Sequence, residues 1–215
     1  MHNIWNIVKL DFSLVQPYLK TICFTMLLPV LFTAVNRSLF TGISFAMCFI
    51  AMTAGYPFSV MEKNDMDMLY GMLPIRQKEL VIGRYFFVIG TGVIALAFSL
   101  LIHPVILMFL GESLSTSDLI TAAATGIILF TLYTVFQLPG YYKFGSIKGR
   151  VFMYLPVAGY LILLFLSAKF PVQVTVWRLF SKYPTSVLII VSVLILIGLY
   201  ACSIAASIRI LNRKK

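Results

Sequence analysis

Apolar positions occur along this chain in runs long enough to cross a lipid bilayer, and polar positions are concentrated between those runs. A helix of about 20 mostly apolar residues covers the roughly 30 Å hydrocarbon core of a membrane. The pattern supplies that length six times, so it predicts an all-α integral membrane protein with six transmembrane helices. The predicted spans are residues 18–35, 43–61, 81–109, 119–138, 151–168 and 186–207.

The segment before the first span, residues 1–17, has the periodicity of an amphipathic helix. Its apolar side chains recur at near-helical spacing and are Ile4, Trp5, Ile7, Val8, Phe12 and Val15. We expect this helix to lie in the membrane interface, where it either only anchors the chain or, as we favour, both anchors it and braces a partner.

The charge pattern predicts how the spans are oriented. Of the 17 lysines and arginines, thirteen fall in segments that are cytoplasmic if the N-terminus is cytoplasmic, and four fall in the others. Positive charge accumulates on the cytoplasmic side of membrane proteins, so both termini are expected there. The net charge of +10 is spread over the ends of spans rather than gathered in one stripe with interleaved aromatic residues. Nucleic acid is therefore not an expected partner.

Chemically active groups are scarce inside the predicted spans. Ion pumps and proton-coupled carriers need ionisable side chains at membrane depth, and hardly any occur here. Cys23, Cys48 and Cys202 show neither disulfide-framework nor zinc-site spacing. His103 could serve a metal or a proton, or have a structural or interfacial role. We predict no catalytic, cofactor-binding or metal site on this chain, which is then either passive or driven by an attached protein.

The segment between spans two and three, residues 62–80, has the composition of a short cytoplasmic helix. Asn64 is a suitable N-cap, and Met66, Leu69 and Tyr70 would share one apolar face. A helix of two turns is marginal alone, so this face predicts a docking surface on another protein. Pro74 is placed to begin the helix of span three. The alternative is a solvated loop whose charges only fix the topology.

On the opposite side, residues 169–185 mix aromatic residues, prolines and cations. This segment is either an outer gate containing Trp177, Arg178 and Phe180 or an interfacial aromatic anchor.

The two cytoplasmic segments resemble those of permease subunits of the ABC-2 family, which are parts of bacterial ATP-binding-cassette exporters. In the first segment the resemblance rests on Glu62, Leu73-Pro74-Ile75-Arg76, Val81 and Arg84-Tyr85. In the second it rests on Pro139, Tyr142-Lys143-Phe144-Gly145, Lys148 and Arg150. The likeness extends over the whole chain. In detail, the chain resembles permeases of exporters for phenol-soluble-modulin-type amphipathic peptides. Related permeases are associated with bacteriocin or antibiotic resistance.

The resemblance implies a single permease domain, residues 1–215, in a bacterial plasma membrane. Residues 62–80 would form a coupling helix on a cytoplasmic ATPase, with contacts from Glu62, Met66, Leu69, Tyr70, Leu73, Pro74 and Arg76. The second loop would contribute Lys143, Phe144, Lys148 and Arg150. The chain has no phosphate-binding G-x-x-x-x-G-K-[ST] motif, so ATP and magnesium would bind the partner. A second or related permease copy would complete a pathway for amphipathic peptide. A passive membrane scaffold or sensor is the alternative function.

Overall fold

A computed structural model describes residues 2–66, 76–159 and 185–213 of the chain, and within these ranges it contains helices and no strands. The all-helical fold is thereby confirmed. The helices are α1 (His2–Val15), α2 (Leu19–Thr25), α3 (Leu27–Asn36), α4 (Leu39–Thr53), α5 (Tyr56–Lys63), α6 (Gln77–Phe109), α7 (Thr116–Gly149) and α8 (Thr185–Asn212). Two 3₁₀ turns, Gln16–Tyr18 and Arg150–Tyr154, follow α1 and α7.

Five helical stretches in the described ranges are long and apolar enough to cross a membrane. They are Ile4–Asn36, Leu39–Lys63, Gln77–Phe109, Thr116–Gly159 and Ile189–Asn212. The expected fifth span, residues 151–168, continues past the last described residue of its range. The count of six and the orientation of the termini therefore stay predictions.

The longest helices pack around α7. This helix contacts α4, α6 and α8, and glycines allow the close approaches. A side chain on Gly126 would lie 3.0 Å from both Ile43 Cγ2 and Met47 Cγ on α4. Gly92 of α6 similarly faces the ring of Phe130 on α7. Small residues are the usual means of bringing helices together in a membrane, and these two glycines serve that purpose here.

The bundle has two polar ends. At one end, Arg37 after α3 forms an ion pair with Glu112 after α6, with 3.4 Å between Nη1 and Oε1. At the other end, Glu62 of α5 lies against Ser146 of α7. We call these the Arg37 end and the Glu62 end. The charge pattern predicts that the Glu62 end is cytoplasmic.

Two local predictions are wrong. Asn64 does not begin a helix, because it ends α5 and its Nδ2 donates to the Val60 carbonyl oxygen, at 2.8 Å. The next residue, Asp65, has a left-handed backbone with φ of 49°. The helix of span three begins at Gln77 rather than at Pro74, because the backbone of Arg76 is extended. The helix of the fourth predicted span continues past residue 138 to Gly149, with Pro139 inside it.

Seven predicted site residues fall outside the described ranges. They are Leu69, Tyr70, Leu73 and Pro74 of the coupling segment and Trp177, Arg178 and Phe180 of the possible outer gate.

His103 is buried in α6, where its Nδ1 lies 2.8 Å from the Ser99 carbonyl oxygen. Its ring also lies against Gly42 of α4, beside Thr33 of α3. The histidine therefore packs at a junction of three helices. The described residues contain no group of three His, Cys, Asp or Glu that could hold a metal ion.

Candidate functional site

A buried charge pair joins the N-terminal helix to the start of α6. Arg84 Nε donates to Asp11 Oδ2 at 3.1 Å, and Arg84 Nη2 donates to Asp11 Oδ1 at 3.0 Å. Both side chains are almost fully buried, with 1% and 0% of their surface exposed. Two parallel bonds between a guanidinium and a carboxylate fix their relative orientation as well as their distance. Helix α1 therefore has a defined position on α6.

The same guanidinium also contacts α5. Arg84 Nη2 lies 2.9 Å from Met61 Sδ, and the guanidinium carbon stands 4.4 Å from the centre of the Phe58 ring. A cation over an aromatic face is attracted by the ring quadrupole, most strongly where water is excluded. One side chain thus ties together α1, α5 and α6. The last two helices are those that enter and leave the predicted coupling segment.

Sequence reasoning identified Arg84 only within a family resemblance and did not identify Asp11. A signal was present, because Asp11 lies at helical spacing among Ile4, Ile7, Val8 and Val15 on the otherwise apolar face of α1. An acid on a buried face calls for a partner. The structure also shows that the predicted face is divided: Ile7 and Val15 are buried, whereas Trp5 and Phe12 are exposed. Within the chain, α1 packs against α6.

The chain reverses direction within the second predicted cytoplasmic loop. Gly145 interrupts α7 with φ of 80° and ψ of −175°. Beyond it, Phe152 stacks on Phe144 with 5.3 Å between ring centres and also contacts Gly140. In a continuous helix, residues 140 and 152 would be about 18 Å apart along the axis. The residues after Gly145 therefore run back beside the end of α7.

The reversal contacts the end of α5 through a hydrogen bond. The Ser146 backbone N–H donates to Glu62 Oε2 at 2.6 Å, across 84 residues of sequence. Ser146 itself is buried. This bond brings together the two segments that the sequence analysis selected independently. The Glu62 end thus combines the start of the coupling segment with the second loop.

The other described site residues are mostly exposed. Arg76 is exposed and directly precedes α6, and Met66 is half-buried just after α5. In the second loop Lys143, Lys148 and Arg150 are exposed, and Lys143 Nζ lies 5.0 Å from the centre of the Phe144 ring. The exposed side chains of Arg76, Lys143, Lys148 and Arg150 are all cationic. Phe144 is itself 42% exposed.

A buried chain of hydroxyl groups continues from this end into the bundle. Tyr85, next to Arg84, places its hydroxyl 2.6 Å from Ser203 Oγ and 2.9 Å from Ser207 Oγ. Ser203 in turn donates to the Val135 carbonyl oxygen at 2.7 Å. These bonds connect α6, α8 and α7. Satisfied polar groups in a low-dielectric interior hold helices in one relative arrangement.

The polar contacts of this site join helices that are distant in sequence. Among the described residues, the bonds Asp11–Arg84, Tyr85–Ser203 and Glu62–Ser146 each link two different helices.

A comparison with protein families identifies what kind of protein has this architecture. The family described as "ABC-2 family transporter protein" matches residues 6–212, nearly the whole chain. The chain belongs to the ABC-2 transporter family. No curated protein and no solved structure matches it. This ABC-2 family protein is therefore a multi-pass membrane protein, and its family implies partnership with an ABC ATPase subunit.

Proposed function

We propose that this ABC-2 family protein is the transmembrane subunit of an ATP-driven exporter in a bacterial plasma membrane. Its cargo would be amphipathic peptides, similar to phenol-soluble modulins, or other hydrophobic compounds leaving the cytoplasm or inner leaflet. The observation that carries the proposal is the bond between Ser146 and Glu62, because it unites both predicted ATPase-facing segments at one end of the bundle. The family match to residues 6–212 supports the same assignment.

ATP chemistry is assigned to a separate subunit. The sequence lacks a phosphate-binding motif, so ATP and magnesium would bind the cytoplasmic ATPase. When two ATPases close on ATP, they would pull on residues 62–80. The pull would tilt α5 and α6, which Arg84 holds together, and the pathway would open at the Arg37 end.

The pathway would lie between two copies of this chain or between it and a related permease. Twofold symmetry is the commonest closed arrangement for such assemblies and would match two ATPases. The exposed side of α6 supports a cargo with an apolar face. From Phe86 onward its large exposed side chains are all apolar: Phe86, Val93, Ile94, Phe98, Leu101, Ile102, Val105, Met108 and Phe109.

The proposal is tested by co-expressing the chain with a candidate ATPase and measuring ATP turnover with and without the permease. We expect a stable complex whose turnover changes on addition of amphipathic peptide. Arg76→Glu, and a triple alanine variant of Met66, Leu69 and Tyr70, should abolish that response while the permease stays folded. Arg37→Glu, at the opposite end, is the control. A chain that purifies alone and leaves ATP turnover unchanged would contradict the proposal and favour a passive scaffold or sensor.

A further inference from the structure

The turn at Gly145 has a backbone shape that requires glycine. Its φ of 80° combined with ψ of −175° lies in a region that other residues essentially do not adopt. A Cβ atom there would in addition lie 3.2 Å from Glu62 Oε2 and 3.4 Å from Oε1. Gly145 therefore allows both the reversal of the chain and the close approach of the carboxylate.

The reversal leaves a backbone group without its usual helical partner. The first N–H groups after a helix break have no carbonyl four residues earlier to bond, and a side-chain oxygen normally accepts from one of them. Here the acceptor for the Ser146 N–H is Glu62 Oε2, at 2.6 Å, from a different helix. A carboxylate is also favoured electrostatically at such a position, where N–H dipoles point outward. Glu62 caps the returning segment from outside it.

We infer that Glu62 is a positioning residue within the permease. Its carboxylate makes the second loop move together with the coupling segment. The inference rests on the proposed function, and it assigns to Glu62 a contact inside this chain rather than a contact with the ATPase. Glu62 is the next-to-last residue of α5, so movement of residues 62–80 displaces its carboxylate directly. The Ser146 amide, and with it residues 143–150, is pulled in the same direction.

The chain provides matched variants for this bond. Glu62→Ala removes the acceptor, whereas Glu62→Gln keeps an acceptor oxygen on a side chain of the same length. Ser146→Pro removes the donor at the first position after the break, where proline is well tolerated, and Ser146→Ala retains the N–H. Asp65→Asn removes a neighbouring negative charge and keeps a residue type that accepts the left-handed backbone at that position.

The first measurement is hydrogen–deuterium exchange of residues 144–150 in the purified permease without ATPase. We expect Glu62→Ala to accelerate amide exchange in this segment about tenfold or more, because a bond to a charged acceptor is lost. Glu62→Gln should restore most of the protection, and Asp65→Asn should not change it. Unchanged exchange in Glu62→Ala would overturn the inference, whatever the ATPase does.

The second measurement is the amount of amphipathic peptide transported per ATP hydrolysed by the permease–ATPase complex. Glu62→Ala and Ser146→Pro should each lower this ratio several-fold, and the double variant should be no lower than Glu62→Ala, because both changes remove the same bond. Glu62→Gln and Ser146→Ala should retain the ratio. A purely structural role would change the yield and stability of the complex and leave the ratio intact, which would overturn the positioning role. If the unmodified complex transports nothing, the proposed function fails, and the exchange measurement alone decides the bond.

Discussion

Asp11 and Arg84 form a two-bond ion pair that is almost completely buried, and it joins helices separated by 73 residues of sequence. Removing one member of a buried ion pair leaves the charge of the other member buried without that partner. The loss in free energy of unfolding is therefore larger than the Coulombic attraction of the pair. The pair therefore fixes the N-terminal helix on the bundle.

Removing one member of this pair should strongly destabilise the protein. Asp11→Ala removes the carboxylate from a buried guanidinium, at a cost of about 3–5 kcal/mol in free energy of unfolding. For a chain of this size that corresponds to a melting temperature lower by roughly 6–20 °C, measured by thermal denaturation of the purified protein. The double variant Asp11→Leu with Arg84→Met should recover most of the loss, because apolar side chains of similar volume replace the pair.

The exposed ion pair at the Arg37 end provides the control. Arg37 and Glu112 have side chains that are 63% and 40% exposed, and their single contact is 3.4 Å. Glu112→Gln should therefore cost less than about 1 kcal/mol. If Asp11→Ala and Glu112→Gln lower the free energy of unfolding equally, burial does not determine how much the Asp11–Arg84 pair contributes to stability.

A second prediction concerns Gly42, where α3, α4 and α6 meet. A Cβ atom at this position would overlap Thr33 and lie 2.6 Å from His103 Cδ2, so Gly42→Ala should force the helices apart. Overpacking of this kind costs about 1–3 kcal/mol. Gly90→Ala is the control, because no heavy atom lies within 4 Å of its Cβ position and alanine favours the helix. Thermal denaturation should show a lower melting temperature for Gly42→Ala alone; equal melting temperatures would contradict the predicted junction.

The helical membrane fold could be predicted from the sequence because it depends on local composition. Long apolar runs must form helices in lipid, where every backbone polar group needs an internal partner. Residues that commonly mark the ends of helices were less informative. Asn64 was predicted to begin a helix and instead ends one, because the same side chain can accept from N–H groups at a start or donate to a carbonyl at an end.

The candidate site depends on contacts that local patterns do not determine. The segment containing Glu62 and the segment containing Gly145 could each be selected from sequence, but their bond spans 84 residues and exists only in the packed bundle. The pairing of Asp11 with Arg84 is of the same kind. Asp11 on an apolar helix face indicates that a partner is needed, and the fold determines which cation it is.

A third prediction concerns the hydroxyl chain between α6 and α8. Tyr85→Phe removes the group that bonds Ser203 and Ser207, leaving buried hydroxyls with fewer partners, at a cost of about 1–3 kcal/mol. Backbone amides of the last turns of α8 should exchange faster with solvent deuterium. Tyr154→Phe is the control, since that side chain is 61% exposed. If the amide exchange rates of α8 are the same in Tyr85→Phe as in Tyr154→Phe, these hydroxyl bonds do not hold the helix in place.

The last prediction concerns the packing of α1 against α6. A Cβ atom at Gly83 would lie 2.8 Å from Ile7 Cγ2 and 3.2 Å from the Ile4 carbonyl oxygen, so the second contact involves backbone that cannot rotate away. Gly83→Ala should therefore displace α1 and weaken the neighbouring Asp11–Arg84 bonds. The displacement can be followed by fluorescence of Trp5, which is 62% exposed on α1, after Trp177→Phe removes the other tryptophan.

Gly198→Ala is the matched control for that variant, because it adds the same methyl group to α8 at a position with no heavy atom within 4 Å. It should leave both the fluorescence and the melting temperature close to their original values. Gly83→Ala should shift the Trp5 emission and lower the melting temperature by the amount expected for overpacking, about 1–3 kcal/mol. If Gly83→Ala instead raises stability, as alanine does at an open helical position, then α1 does not lie as close to α6 as the contacts of Ile7 require.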